Sequence, residues 1–230
     1  MSGAMQMLIA AADGGFVFAP TISGSVTNYT LRSAALAAGW DGVLPLIATV
    51  TVAEGAVVGS TGVDAYAFDT GTGFPAGSRL TLLNRGHIVG AGGYGGPGAR
   101  GTRSAGFPGG VGGPALRAQA TLAIVNAGVI GGGGGGGGGS GRHWADAEVY
   151  DSAPGGDGAG YIGYSLIAGS PGGTWRGAAG GAGGGLGQAG EPGSQTIGGT
   201  PGYGGAAGAA VVGDAWIVWN ATGTRLGSVS

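Results

Sequence analysis

Two rhythms of apolar and polar positions divide the chain. Through its first half, short runs alternate with period two: LIATVTVAEGAVVGS (46–60) sets Val against Thr, and SRLTLLNRGHIVGAGG (78–93) and ATLAIVNAGVIGGGG (120–134) are apolar runs broken by a turn. Each predicts a strand, a turn and a second short strand. Before them, YTLRSAALAA (29–38) places Leu31, Ala34, Ala35 and Ala38 at helical spacing. Asn28 is placed to cap this helix, and Gly39 follows its end.

The second and third runs match position by position. Leu80 answers to Leu122, Leu82 to Ile124, Leu83 to Val125, Asn84 to Asn126, Gly86 to Gly128 and Ile88 to Ile130. The first run carries a weaker copy through Gly55, Val57 and Gly59. Because the offset between the matching runs does not recur elsewhere, stacked strands with inserted loops fit better than a regular solenoid.

From Gly90 the rhythm changes to three. In GAGGYGGPG (90–98) glycine fills two positions of every three, and Ala91, Tyr94 and Pro97 fill the third; the phase returns at 109–113, 155–163, 180–193 and 198–208. At three residues per turn such side chains share one edge, and the other two faces are bare backbone. That backbone forms no hydrogen bonds within its own helix, so if buried it must pair with neighbouring segments. Collagen needs an unbroken Gly every third residue, and the best run here stops at Gly193 after starting at Gly181. The expected arrangement is a lattice of antiparallel polyglycine II helices, the alternative a flexible linker.

Composition sharpens this division. Glycine numbers 62 of 230 residues. Counted by region, 13 fall in 1–89, 46 in 90–208 and 3 in 209–230. These are the expected units: an N-terminal α+β attachment and oligomerisation region, a glycine-rich region and a C-terminal strand. The predicted fold class is mainly β and irregular, a small α+β segment followed by the polyglycine II lattice with distal loops. With 43% hydrophobic residues and a net charge of -2 the chain does not have the composition of simple disorder.

Charge and missing residue types remove several functions. All nine basic residues are Arg, which leaves no dispersed basic surface for nucleic acid. Without Lys the nine consecutive glycines at 131–139 cannot be a P-loop, and no helix-forming stretch follows them for a dinucleotide site. Zero Cys excludes thiolate chemistry and disulfides. The start has no basic residue before its apolar run, unlike a secretory signal, and the long uncharged stretch Ala118–Gly141 is nearly half Gly, so membrane insertion is not expected.

Candidate recognition residues sit between the glycine tracts: Arg100, Arg103, Phe107, Arg142, His143, Trp144, Tyr150, Tyr161, Tyr164, Trp175 and Arg176. Trp, Tyr and Arg combine large contact area with a polar handle, which suits binding; the alternative is that the aromatics plug the lattice ends. Asp146, Glu148, Asp151 and Asp157 form the one acidic cluster. It reads as a solvated face, with glycosidic hydrolysis or calcium binding as further alternatives. No catalytic residue, metal or other cofactor is expected.

NYTLRSAALAAGWDG, FDTGTGFPAGSRLTLLNRGHIVGAGGYGGPG, PALRAQATLAIVNAGVIGGGGGGGGG and GAAGAAVVGDAWIVWNATGTRLG together resemble glycine-rich receptor-binding proteins, the adhesins at the tips of tailed-bacteriophage fibres, over most of residues 26–230. The tracts with interposed loops are also similar to the distal long-tail-fibre adhesin of T-even phages, from which the first 90 or so residues depart. The resemblance implies a non-enzymatic protein, without cofactor, whose loops bind a bacterial surface receptor, an outer-membrane protein or a glycan. It implies other phage tail proteins as partners and a place at the distal tip of the virion tail, after synthesis in the host cytoplasm. A homotrimer joined through residues 1–89 is expected from Leu31, Leu36, Trp40 and the Val-rich strand. A tail-associated polysaccharide hydrolase and a structural glycine-rich surface protein are the alternatives.

Overall fold

The computed structural model describes residues 14–100, 105–142, 152–175, 177–194 and 199–230. Its strands wind into a three-sided coil, in which the chain visits the same three faces in the same order on each turn. The first turn is β1 (Phe16–Phe18) with β2 (Thr21–Ile22), then β3 (Ser25–Thr27) and β4 (Tyr29–Thr30). After α1 (Leu31–Ala37) come β5 (Leu46–Val52), β6 (Val57–Gly59) and β7 (Phe68–Asp69). The third turn is β8 (Arg79–Asn84), β9 (His87–Val89) and β10 (Leu116–Arg117). The fourth is β11 (Leu122–Asn126), β12 (Val129–Gly131) and, beyond a short hairpin of β13 (Thr174–Trp175) and β14 (Ala178–Ala179), β15 (Val211–Val212). A 3₁₀ turn (Asp214–Trp216) leads into β16 (Ile217–Ala221) and β17 (Thr224–Leu226), and Val229 closes the fifth turn by bridging to Val211.

Each strand pairs in parallel with its counterpart one turn away, giving the sheets β1-β5-β8-β11-β16, β3-β6-β9-β12-β17 and β4-β7-β10-β15. The internal repeat is this stacking. Leu80, Leu82, Leu83 and Asn84 lie in register against Leu122, Ile124, Val125 and Asn126, and Ile88 against Ile130. Alternation sends Leu46, Ala48, Val50 and Val52 of β5 inward, above Leu80 and Leu82 and then Leu122 and Ile124. The offset does not recur because loops of different length are inserted at the corners, the glycine segments between β9 and β10 and between β12 and β15.

Strands from 1–89, 90–208 and 209–230 therefore share the sheets, and the expected N-terminal α+β segment is part of one mainly β coil. The apolar residues behind the homotrimer expectation are spent inside it: Leu31 and Trp40 are buried, as are Val50 and Val52, and only Leu36 reaches the surface. The helix is shorter than expected. Asn28 does not cap it; it adopts φ 49° and exchanges side-chain hydrogen bonds with Thr61, while Thr30 is the capping position without a side-chain bond. Gly39, at φ 99°, ends the helix as expected.

The Asn-x-Gly turns hold the coil interior together. Asn84 and Asn126 are buried in line, and each side-chain oxygen accepts the N–H of the glycine two residues on, Gly86 or Gly128. The Asn84 amide donates to Asn126 at 2.8 Å, and the Asn126 amide to the Thr222 carbonyl at 2.8 Å. Three turns are thereby linked by side chains whose hydrogen bonds are all internal. The glycines are required by stacking: a Cβ at Gly128 would fall on the Gly86 carbonyl.

A second pin lies on the third face. Burial favours the neutral form of the Asp69 carboxyl, yet hydrogen bonds from the Arg117 guanidinium, the Gly71 N–H and the Gln119 amide hold its pKa below the ordinary carboxylate value. With a depressed folded pKa, this group stabilises the fold above its unfolded value of about 3.9 and loses that contribution as pH falls through the folded value. Asp69→Asn should accordingly flatten the acid limb of a Tm-against-pH curve below about pH 4.

The glycine region is built from extended segments running alternately away from the coil and back. Hydrogen bonds between them recur every third residue: Gly90, Gly93, Gly96 and Ala99 donate to Gly131, Gly134, Gly137 and Ser140. Segment 131–141 lies at the centre. Its N–H groups donate in rotation to three neighbours, Gly133 to Gly113, Gly134 to Ala159 and Gly135 to Gln188, and then again from Gly136 to Gly110. Its carbonyls accept in rotation from three others, as in Gly90 to Gly131, Gly187 to Gly132 and Gly208 to Gly133. Six surrounding segments explain the nine consecutive glycines, because every face of the central one meets backbone, and a Cβ at any of Gly132 to Gly139 would fall on a carbonyl oxygen.

Outer segments can carry side chains on the face that points away. Tyr94, Val111 and Tyr203 do so and are more than half exposed. Proline follows the same logic: Pro97, Pro108, Pro154, Pro171 and Pro192 are exposed at triplet positions that supply no N–H to the lattice. Ala91 departs from the expected edge. It is buried where the lattice meets the coil, and its N–H donates to Ser60 Oγ at 3.0 Å.

Candidate receptor-binding end

The lattice has two unlike ends. At the near end a small cluster of Val89, Ala159 and Leu186, flanked by Val57, Val129, Tyr161, Leu166 and Leu226, joins the segments to the second face of the coil. At the far end the segment termini are tied into one layer: Ala99 N–H donates to Ser140, Ser140 to Ala153, Ser152 to Ala99, Gly106 to Thr200, and Ser194 to Ala179. The connections 100–105, 142–151, 174–177 and 195–198 all issue from this layer.

Most of the sequence-derived candidates belong to those connections. Arg100 is exposed at the far end, Phe107 and Arg142 are half-buried there, and Trp175 is 48% exposed on the β13–β14 hairpin. Arg103, His143, Trp144, Tyr150 and Arg176 lie outside the described residues. Tyr161 and Tyr164 are not brought to this end. The Tyr161 ring rests on Gly59 in the junction cluster, and Tyr164 is exposed on the same near-end connection. The end-plug reading thus describes Tyr161, though at the near end. Tyr161→Ala should lower Tm by roughly 2–12 °C, the equivalent of about 1–3 kcal/mol in a chain of this length, without weakening cell binding; calorimetry and a binding assay check this.

Of the acidic cluster, one member lies among the described residues. Asp157 sits two triplets down a lattice segment, where its carboxylate accepts the Gly95 N–H at 2.7 Å, while Asp146, Glu148 and Asp151 lie outside the described residues. Among the described residues no three His, Asp or Glu side chains gather as metal ligands, and no helix is long and apolar enough to cross a membrane. Sequence reading passed over the exposed Tyr203 and Trp216; the signal for Tyr203 was its place as the non-glycine member of a triplet.

The family model for "Phage tail fibre adhesin Gp38" matches residues 18–230, which take in both the parallel coil and the glycine segments. The chain belongs to the Gp38 phage tail fibre adhesin family. Among solved structures, the crystal structure of the gp37-gp38 adhesin tip complex of the bacteriophage S16 long tail fiber matches with a TM-score of 0.64 and 25% identity, over 94% of this chain and 83% of that one. A search of curated proteins finds no match. Because both matches extend into the first 90 residues, the N-terminal region is shared with phage fibre adhesins and is not a departure from them. This Gp38-family chain is a receptor-binding adhesin of a phage tail, and its family is one of adhesins rather than of enzymes.

Proposed function

We propose that the far-end connections of this adhesin bind the bacterial surface receptor, an outer-membrane protein or glycan, while the coil attaches it to another tail protein at the distal tip of the fibre. The observation behind this reading is the hydrogen-bonded layer from Ala99 to Thr200, which gathers the connections on the side away from the coil. In the S16 structure the relative is seen in complex with gp37, which supports attachment to a fibre protein here. The regions 1–89 and 209–230 would then serve attachment jointly, and 90–208 recognition. The glycine segments are proposed as polyglycine II helices, whose three-residue turn accounts for hydrogen bonds at every third residue.

Recognition by this end is binding and not catalysis. Trp175→Ala should cost about 1–3 kcal/mol of binding to host cells, with little change in Tm, because the side chain is 48% exposed on a two-residue strand. Exchanging 99–107 and 142–152 between phages of different host range should move the host range with them; an exchange that leaves adsorption unchanged overturns the reading. Release of reducing ends from host polysaccharide would instead establish the hydrolase. With Leu31 and Trp40 buried within the chain, light scattering should report a single-chain mass of 21.5 kDa, and a mass three times larger would restore the homotrimer.

A further inference from the structure

A pocket of about 360 Å³ opens on the coil at the corners where the third face turns into the first, far from the loop end. Its walls are the 73–78 loop, Leu80, residues 119–121 and Trp216. We propose that it is a second binding site, which takes an uncharged hexopyranose ring against the face of Trp216.

Trp216 is set apart from the other coil tryptophans by its lack of structural employment. Trp40 is buried, stacks on Phe74 and donates its N–H to the Leu44 carbonyl. Trp219 donates its N–H to Asp214 and lies under the Arg225 guanidinium. The Trp216 ring is 51% exposed, at the pocket wall, and its N–H has no hydrogen bond among the described residues. An exposed aromatic face with an N–H free of protein partners is well suited to a ligand with both CH faces and hydroxyl edges.

The remaining walls supply the rest of that recognition. Ser78 Oγ accepts the Leu46 N–H and still has its own proton to donate; the Thr121 hydroxyl is at the surface; Gln119 gives one N–H to Asp69 and retains its carbonyl. No ionisable side chain lines the pocket. An anionic sugar would find no cation among the lining residues, the Arg32 guanidinium beside Gly73 being held over the Trp40 ring, whereas a neutral ring exchanges water for hydroxyl and amide partners. A volume in the range of small-ligand pockets holds such a ring. The proposal stands apart from the receptor reading of the far-end loops.

Methyl glycosides of glucose, galactose and N-acetylglucosamine, with methyl glucuronide as the charged control, test it by saturation-transfer NMR and tryptophan fluorescence on the full chain. At least one neutral glycoside should show saturable binding, with the glucuronide about tenfold weaker or absent. Trp216→Ala should weaken binding about tenfold or more and Trp216→Phe should retain most of it; Thr121→Val should weaken it about threefold with Tm unchanged. Binding that survives Trp216→Ala, equal binding of the glucuronide, or no saturable response at 50 mM, roughly fivefold above the weakest affinity of interest, overturns the proposal. So does a Trp216→Ala chain that binds sugar normally but no longer captures its fibre protein, which would assign the pocket to protein docking. Host-cell adsorption by Trp175→Ala reads the other site, so the two proposals fail separately.

Discussion

Gly135→Val and Gly183→Val are each expected to destabilise the fold by roughly 3–5 kcal/mol, read as a fall in Tm and in denaturant midpoint. A side chain at 135 would fall on the Gly205 carbonyl, and one at 183 on the Asp157 carbonyl. Neither position can yield by moving a flexible side chain, because the obstacle is backbone already committed to hydrogen bonds such as Gly205 to Gly136 and Ser170 to Asp157. Ala206→Val, on the exposed face of an outer segment, should change stability by no more than about 0.5 kcal/mol. Ala182 is half-buried and should be only slightly more sensitive. Ala91→Val joins the damaging class, since Ala91 is enclosed under the 60–63 turn. In a flexible linker, Gly→Val would cost nothing, so equal and negligible effects at 135, 183 and 206 would remove the lattice from the account of this protein.

Asn126→Ala should cost about 2–4 kcal/mol, and more than Asn84→Ala. Asn126 receives the Asn84 amide and the Gly128 N–H, and donates to the carbonyls of Thr222 and Thr224, so its loss leaves buried donors and acceptors on three turns without partners. Replacing Asn84 and Asn126 together should cost less than the two single losses added, because each alone strands the other's side chain. A double-mutant cycle by chemical denaturation measures this coupling. Strict additivity would mean that the two amides act independently and that the ladder is not what holds these turns in register.

These two predictions concern different carriers of the same architecture. Alternating side chains define the coil, so its strands were legible: the expected runs 46–60, 78–93 and 120–134 contain β5 with β6, β8 with β9, and β11 with β12. The match of Leu80–Asn84 to Leu122–Asn126 became a parallel register because it sets apolar side chains over apolar ones and Asn84 over Asn126. The glycine phase was legible as well, since a position that meets backbone on the inside cannot carry a side chain, and one that faces out can carry Tyr94, Pro97 or Val111.

What the chain order could not disclose was which segments are neighbours. Tyr161 and Trp175 look alike in sequence, each an aromatic between glycine tracts, yet one connection turns at the coil and the other at the far layer. Their difference depends on whether an even or odd number of crossings precedes them, which is a property of the lattice as a whole. A C-terminal strand was expected in 209–230, and what the chain order left open was its partners, the edges of β11 and β12 on which β16 and β17 pair. By itself the sequence determined the two periodicities, the Asn-x-Gly stack and the exclusion of thiol, P-loop and basic-surface chemistry, because each follows from residue type and spacing. Only the tertiary structure decided that 131–141 is the central segment, that Leu31 and Trp40 are spent inside one chain, and which of the described aromatics share the far end of the lattice, because burial and proximity are set by contacts between residues far apart in the chain.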